Sequence, residues 1–387
     1  MFQSIGMLTL LGFCASTVLA SAQATSSQTD QSVQSSSSPV AFVYVLSGPP
    51  DGKNQIYGFA TAADGSLSPI SGTPFSTAVS DIVVNSAWLF GTDGVNLDSF
   101  SIAANGSLKQ VDTLEVEPDG GLGSLFLDHT GTSLYADYYT TNNEELAYSI
   151  DNSTGKLTYL DNIMAGPGFG YVESFVGDNE YAYESTCYHF GPTIYGIQRS
   201  SDGAVTMLNP NQVYPIPPSG DFYCPWSAAA DPTNHLVIAV QLLDGNFTAL
   251  GPYQLATYTV DSTGQLSTAS TFENMPATQA GGAKGSETSY VTTYAMSPSG
   301  QLLAVAGTSG LQLFHVDGAN PITKYTGLLI SDEEVDQVFW DNSNHLYATG
   351  DTAGKLWVFT VTETSVTEAP GSPHNMTYPA GIIVLPK

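Results

Sequence analysis

The sequence predicts an all-β chain: a seven-bladed β-propeller of four-stranded antiparallel blades, its ring closed by the C-terminal strand pairing with the N-terminal blade. Three observations predict it. One hairpin phrase recurs seven times, a second phrase falls between its copies, and the two ends of the repeating region each supply part of one blade.

The first phrase is an aromatic strand, a Gly/Asn/Asp turn, then an apolar residue opening the next strand. It reads Gly58-Phe-Ala-Thr-Ala-Ala-Asp-Gly-Ser-Leu67 and returns as Ser99-Phe-Ser-Ile-Ala-Ala-Asn-Gly-Ser-Leu108. Further copies close at Leu157, Val205, Leu266, Ile322 and Val366, so successive copies lie 41 to 61 residues apart. Repeats of roughly 40–60 residues with turn signals between short β-rich runs mark a propeller. The second phrase is an apolar strand, a tight turn and another apolar strand, as in Leu125-Phe-Leu-Asp-His-Thr-Gly-Thr-Ser-Leu-Tyr135 and Val338-Phe-Trp-Asp-Asn-Ser-Asn-His-Leu-Tyr347. Its Asp, Asn and Gly residues suit positive φ and side-chain-to-backbone bonds. The flanking runs are continuously apolar, as strands buried on both faces must be. A pair of β-sandwiches is the alternative, and seven matched copies argue against it.

Each blade reads as strands A to D from the axis outward. Ala41–Leu46 begins as a B strand, so blade one lacks its A strand. Gly381–Leu385 reads as an A strand with no blade after it. Pairing the two closes the ring and removes two raw sheet edges.

The propeller is assigned to residues 41–387. Before it, Ile5 to Leu19 is apolar and uncharged, and small residues around Ala20-Ser21-Ala22 offer a cleavage site. Residues 1–22 are therefore expected to be a signal peptide, too short to span a bilayer. Residues 23–40 are Ser/Gln-rich with little to bury, as expected of a disordered linker. The expected location is secreted or periplasmic, with no membrane insertion after signal cleavage, and the expected state is a monomer.

Eight Lys and Arg face 36 Asp and Glu, and Arg199 is the sole arginine. Nucleic acid is disfavoured, since neutralising phosphates takes a basic patch. The acidity serves solubility or life in acid. Once the carboxylates protonate, the 8 basic residues and 6 histidines cap the positive charge, so low pH causes little self-repulsion.

Extra length falls in the D–A and B–C loops, at residues 209–225, 243–252 and 273–289, all on one face of blades four to six. Long loops on a rigid ring commonly carry binding. Cys187, at the end of strand B4, and Cys224, just before strand A5, share this face, and a secreted context permits a disulfide between them.

No nucleophile elbow, zinc-protease motif or phosphate loop occurs. His129, His235 and His345 sit at short A–B turns and read as turn residues. His189 and His374 lie on the long-loop side. His189 is the candidate general base, with Glu173, opening strand A4 near the axis, as its acidic partner. Tyr171, Tyr223, Trp226 and Glu287 are candidate ligand contacts; loop packing is the plainer explanation of the aromatics. The run Asp332-Glu-Glu-Val-Asp336 lacks the spacing of a Ca²⁺ loop, so no metal and no cofactor is expected.

These phrases resemble the bacterial lactonase family of seven-bladed propellers, whose namesake activity is 6-phosphogluconolactonase. The likeness spans residues 41–387 and rests on Gly65-Ser-Leu-Ser-Pro-Ile-Ser-Gly-Thr-Pro-Phe75, Ala369-Pro-Gly-Ser-Pro373 and the Asp-Pro and Ser-Pro-Ser-Gly turns. More narrowly, Phe126-Leu-Asp-His-Thr-Gly131, Cys187-Tyr-His-Phe190 and Gly318-Ala-Asn-Pro-Ile-Thr323 resemble secreted members from soil acidobacteria. The resemblance implies lactone hydrolysis or muconate lactone isomerisation by His, Glu and Arg side chains at the loop-rich mouth. With one arginine and a net charge of −28, a phosphorylated substrate lacks a basic partner. Two functions are therefore expected in order: a non-catalytic binder of neutral extracellular carbohydrate or protein, then a hydrolase of a neutral sugar-type lactone using His189 with Glu173.

Overall fold

The computed structural model describes residues 38–48, 54–116, 121–139, 144–164, 174–188, 191–208, 213–218, 220–282 and 290–387. Its strands form seven antiparallel sheets, each in sequential order except the first. In that sheet the order from the outside is Leu67–Pro69, Gln55–Thr61, Ala41–Ser47 and Pro379–Pro386. The last residues thus supply strand A of blade one. Phe42 lies opposite Leu385 and Tyr44 opposite Ile383, so the ring closes as the repeats predict. Val40 already donates to Thr61 O and accepts from Lys387 N. The outer strands of blades one and seven are broken around Pro74 and Pro373, with Phe75–Ser76 and His374–Asn375 re-pairing with the C strands.

Among the described residues the core is seven separate clusters, one in each seam between neighbouring blades. In strand B1, Phe42, Tyr44 and Leu46 pack toward blade two, while Ala41, Val43 and Val45 pack toward blade seven. The period-two alternation of a strand thus serves two seams at once. In strand B5, Leu236, Ile238, Val240 and Leu242 face blade four, and Val237 and Ala239 face blade six.

The repeated turns tie the blades together. The C–D turns of blades one to five each end in a glycine with positive φ, Gly65, Gly106, Gly155, Gly203 and Gly264, and these press on the preceding blade. A Cβ on Gly106 would stand 2.9 Å from Phe42, and one on Gly203 would stand 2.2 Å from Ser133 Oγ. Glycine is required there twice over, for the left-handed conformation and for the close approach. The freed carbonyls accept tyrosine hydroxyls across the seam: Tyr44 donates to Gly106 O at 2.8 Å, Tyr135 to Gly203 O at 2.9 Å and Tyr183 to Gly264 O at 2.7 Å.

The A strands ring the axis and cannot pair with each other, so their free backbone groups need other partners. Side chains of the adjoining blade supply them. Asp81 accepts Leu125 N–H at 2.6 Å, Ser174 donates to Ala228 O at 2.7 Å, and Gln337 accepts Ile382 N–H at 2.8 Å.

Candidate functional site

Strand A5, Phe222–Ala230, builds one wall of the loop-rich mouth. The sequence reading placed residues up to 225 in a loop. The strand instead begins at Phe222, so Cys224 lies within it rather than before it. Pro225 is tolerated because the innermost strand has one unpaired edge. Strand B4, Tyr181–Tyr188, carries Cys187 beside it, and Cys187 and Cys224 are bonded with Cα atoms 5.2 Å apart. Closing a loop of 37 residues stabilises by roughly 3–4 kcal/mol in the chain-entropy model. Replacing both cysteines by serine is expected to lower the calorimetric melting temperature by about 5 °C for a ring of this size. A melting point unchanged within a degree would show that the blades alone hold the two strands.

The same strand bulges between Trp226 and Ala228, with Ser227 at φ 47°. A bulge re-aims side chains, and here Trp226 is 41 % exposed while Tyr223 is only 2 % exposed. The Trp226 indole packs edge-on to Tyr253 at 6.3 Å, and its carbonyl accepts the Tyr294 hydroxyl. Tyr223, expected as a ligand contact, lies in the core between blades four and five. Burial, then Glu273, pushes its hydroxyl up to about 12. At the outer end of the same strand, Phe247 of the B–C loop is 58 % exposed and packs edge-on to Phe222 at 5.0 Å. His189, Glu173, Tyr171 and Glu287 lie outside the described residues.

Across the axis, Asp336 stands at the start of strand A7 and accepts Asp351 N–H at 2.7 Å. Burial, then Asp351 and Glu334, pushes its carboxyl up to about 6. Glu334 in turn holds the Tyr290 hydroxyl above its usual range. On the blade two–three side, Asp137 faces Glu145 across strands B3 and C3, accepts Ser124 N–H at 3.1 Å, and shares a hydrogen bond with Glu145. Burial pushes Asp137 up to about 7 and the nearby Asp81 up to about 6. The sequence reading named Asp336 but missed Asp81, Asp137 and Glu145. The available signal was an acid inside the otherwise apolar run Ser133-Leu-Tyr-Ala-Asp-Tyr-Tyr139. Among the described residues no three metal-ligating side chains come together.

The sole guanidinium lies elsewhere. Arg199 ends strand C4 on the short-loop face, pairs with Asp128 at 2.9 Å, and donates to Ser133 at 3.0 Å and Tyr135 at 3.2 Å. It clamps blade four to blade three. Blade seven fills the matching place with its own His345, which bonds Asp341 at 2.7 Å, and blade five with His235 on Asp231 at 2.9 Å. These histidines lock turns, as does His129, whose ring is held toward the Phe175 and Gly177 backbone. His374 belongs to the broken outer strand of blade seven, beside Phe59. Lys355 is held by Glu333 at 2.6 Å, over the Trp357 ring.

No family model and no curated protein matches the chain. Solved structures do. A proposed 6-phosphogluconolactonase from Bacteroides uniformis superposes with a TM-score of 0.65 at 13 % identity, over 90 % of this chain and 100 % of its own. The periplasmic gluconolactonase of Pseudomonas aeruginosa gives 0.60 at 14 %, over 89 % and 99 %. A Lactobacillus plantarum protein gives 0.62 at 11 %, over 90 % and 99 %. The chain thus shares the fold of 6-phosphogluconolactonase-like seven-bladed propellers, and at these identities the likeness speaks for the fold alone.

Proposed function

We propose that the protein is an exported binder of neutral, hydroxyl-rich ligands, carbohydrates or their lactones, at the loop-rich mouth of the axis. One observation carries the reading: the described mouth presents carboxyls and the exposed Trp226 ring, while the sole arginine is locked into a seam on the opposite face. An aromatic face suits the C–H side of a sugar, and carboxyls accept its hydroxyls. Phosphate would meet a field of −28 with no guanidinium to clamp it. Export fits the disulfide, which persists in oxidising compartments.

Calorimetric titration tests this with cellobiose, glucono-1,5-lactone and 6-phosphogluconolactone. The two neutral compounds are expected to bind, the phosphorylated one at least tenfold more weakly, and Trp226→Ala to weaken the neutral ones about tenfold. Arg199→Ala is expected to leave binding unchanged. It should cost about 3 kcal/mol of stability, because it strands the buried Asp128 carboxylate. Equal or tighter binding of the phosphorylated lactone would overturn the reading. Turnover of glucono-1,5-lactone that is lost in His189→Ala would make the protein a lactonase instead.

A further inference from the structure

Two cavities stack along the axis. The upper one, about 480 Å³, reaches Asp336 and Gln337 at the loop-rich end of the A strands. The lower one, about 450 Å³, ends among the short A–B turns at His129, Pro298 and Asn342. They share four wall residues, Phe126, Tyr294, Ala295 and Phe339, and so follow one another without a break in lining. Each falls in the ~300–1,000 Å³ range of small-molecule sites.

Several polar side chains of these walls are already committed. Thr292 donates to Val335 O, Gln337 accepts Ile382 N–H, Asp336 accepts Asp351 N–H, Ser174 donates to Ala228 O, and Tyr294 donates to Trp226 O. These bonds bind blade to blade or strand to strand and leave little for a guest. Most of what remains, above all in the lower cavity, is aliphatic and aromatic, with Phe126, Met296 and Phe339 only partly buried by protein. A sugar drawn into this passage would forfeit its hydrogen bonds. Water over the apolar stretches of wall has few partners and is readily displaced by methylenes.

We infer that the axial channel holds the unbranched alkyl chain of a neutral amphiphile, whose polar head stays at the loop-rich mouth. The head group rests on the function proposed above; the chain does not. Strand walls fixed by inter-blade bonds set a rigid passage through both cavities, which an extended chain can follow along the axis.

The probes are methyl, hexyl, heptyl and octyl β-glucoside, and separately 1-hexanol, 1-heptanol and 1-octanol, titrated calorimetrically below micelle formation. Each added methylene is expected to tighten binding about fourfold, which corresponds to ~0.8 kcal/mol. Ala295→Phe, at the wall shared by both cavities, is expected to remove this increment while leaving methyl glucoside binding intact; Ala295→Leu serves if phenylalanine prevents folding. Methyl glucoside binding with no dependence on chain length overturns the channel assignment and leaves the mouth reading standing. Alcohols that bind with the increment while methyl glucoside does not bind overturn the mouth reading and leave the channel. An increment that persists in the Ala295 variants places the chain elsewhere, on the exposed surface around Phe247, and overturns the inference.

Discussion

Deletion of residues 379–387 is expected to abolish cooperative folding, not to trim a few degrees from the melting point. Strand A1 is buried on both faces. Ile382 and Val384 pack into the seam with blade seven, and Ile383 and Leu385 into the seam with blade two. Four such side chains are worth about 6–12 kcal/mol, at about 1.5–3 kcal/mol each. A whole domain is stable by only about 5–15 kcal/mol. The deletion also strips strand Ala41–Ser47 of its inner partner and leaves Gln337 without the Ile382 N–H. Both seams of one blade would open together, and a ring with an open blade has raw edges. Circular dichroism should show no cooperative melt above room temperature. A melt within 5 °C of the full chain would mean that the ring does not depend on its closure.

That closure was legible because each half of blade one is a continuous apolar run, and only two-sided burial explains such runs in short strands. The seam contacts were legible only as a type. Tyr44, Tyr135 and Tyr183 recur at equivalent places, but nothing local says that their hydroxyls reach a glycine carbonyl in the next blade. Arg199 is similar: its strand was readable, whereas its partner Asp128 sits in another blade's turn, where sequence spacing carries no information. The mouth was harder still. Pro225 and the prolines before it read as loop, and this hid the alternation in strand A5 that turns Tyr223 inward. The bulge at Ser227, which brings Trp226 out, leaves no sequence mark beyond a small residue. Asp137 was the one readable oddity, an acid among aromatics, and its partners Glu145 and Asp81 emerge only from cross-strand register and blade packing.

Those carboxyls make acid a stabilising condition. Asp137 is raised to about 7, and Asp81 and Asp336 to about 6, each chiefly by burial, against about 4 for the unfolded chain. The folded protein therefore holds protons that the unfolded chain has released between about pH 4 and pH 7. Stability must climb as pH falls through that window and level off near pH 4. A shift of one unit is worth about 1.4 kcal/mol. Even one unit surviving at each of the two deeply buried sites, Asp137 and Asp81, gives about 3 kcal/mol, or about 4 °C for a ring of this size, and the half-buried Asp336 adds less because solvent screens it. Relief of the −28 net charge acts in the same direction. The limit on the acid side comes from carboxylates of the opposite kind. Asp128, Asp231 and Asp341 are held below the usual range by hydrogen bonds from their turns and by Arg199 or histidine neighbours, and their contribution is lost as they protonate below about pH 4. The melting temperature is thus expected to rise from pH 8 to a maximum near pH 4–5 and then fall. Asp137→Asn, which keeps an acceptor for Ser124 N–H and removes the charge, should raise the melting point by several degrees at pH 8 and leave it unchanged at pH 4.5. A melting point that falls steadily from pH 8 to pH 5, or an Asp137→Asn shift equal at both pH values, would show that the acids are ionised at no cost in the folded ring.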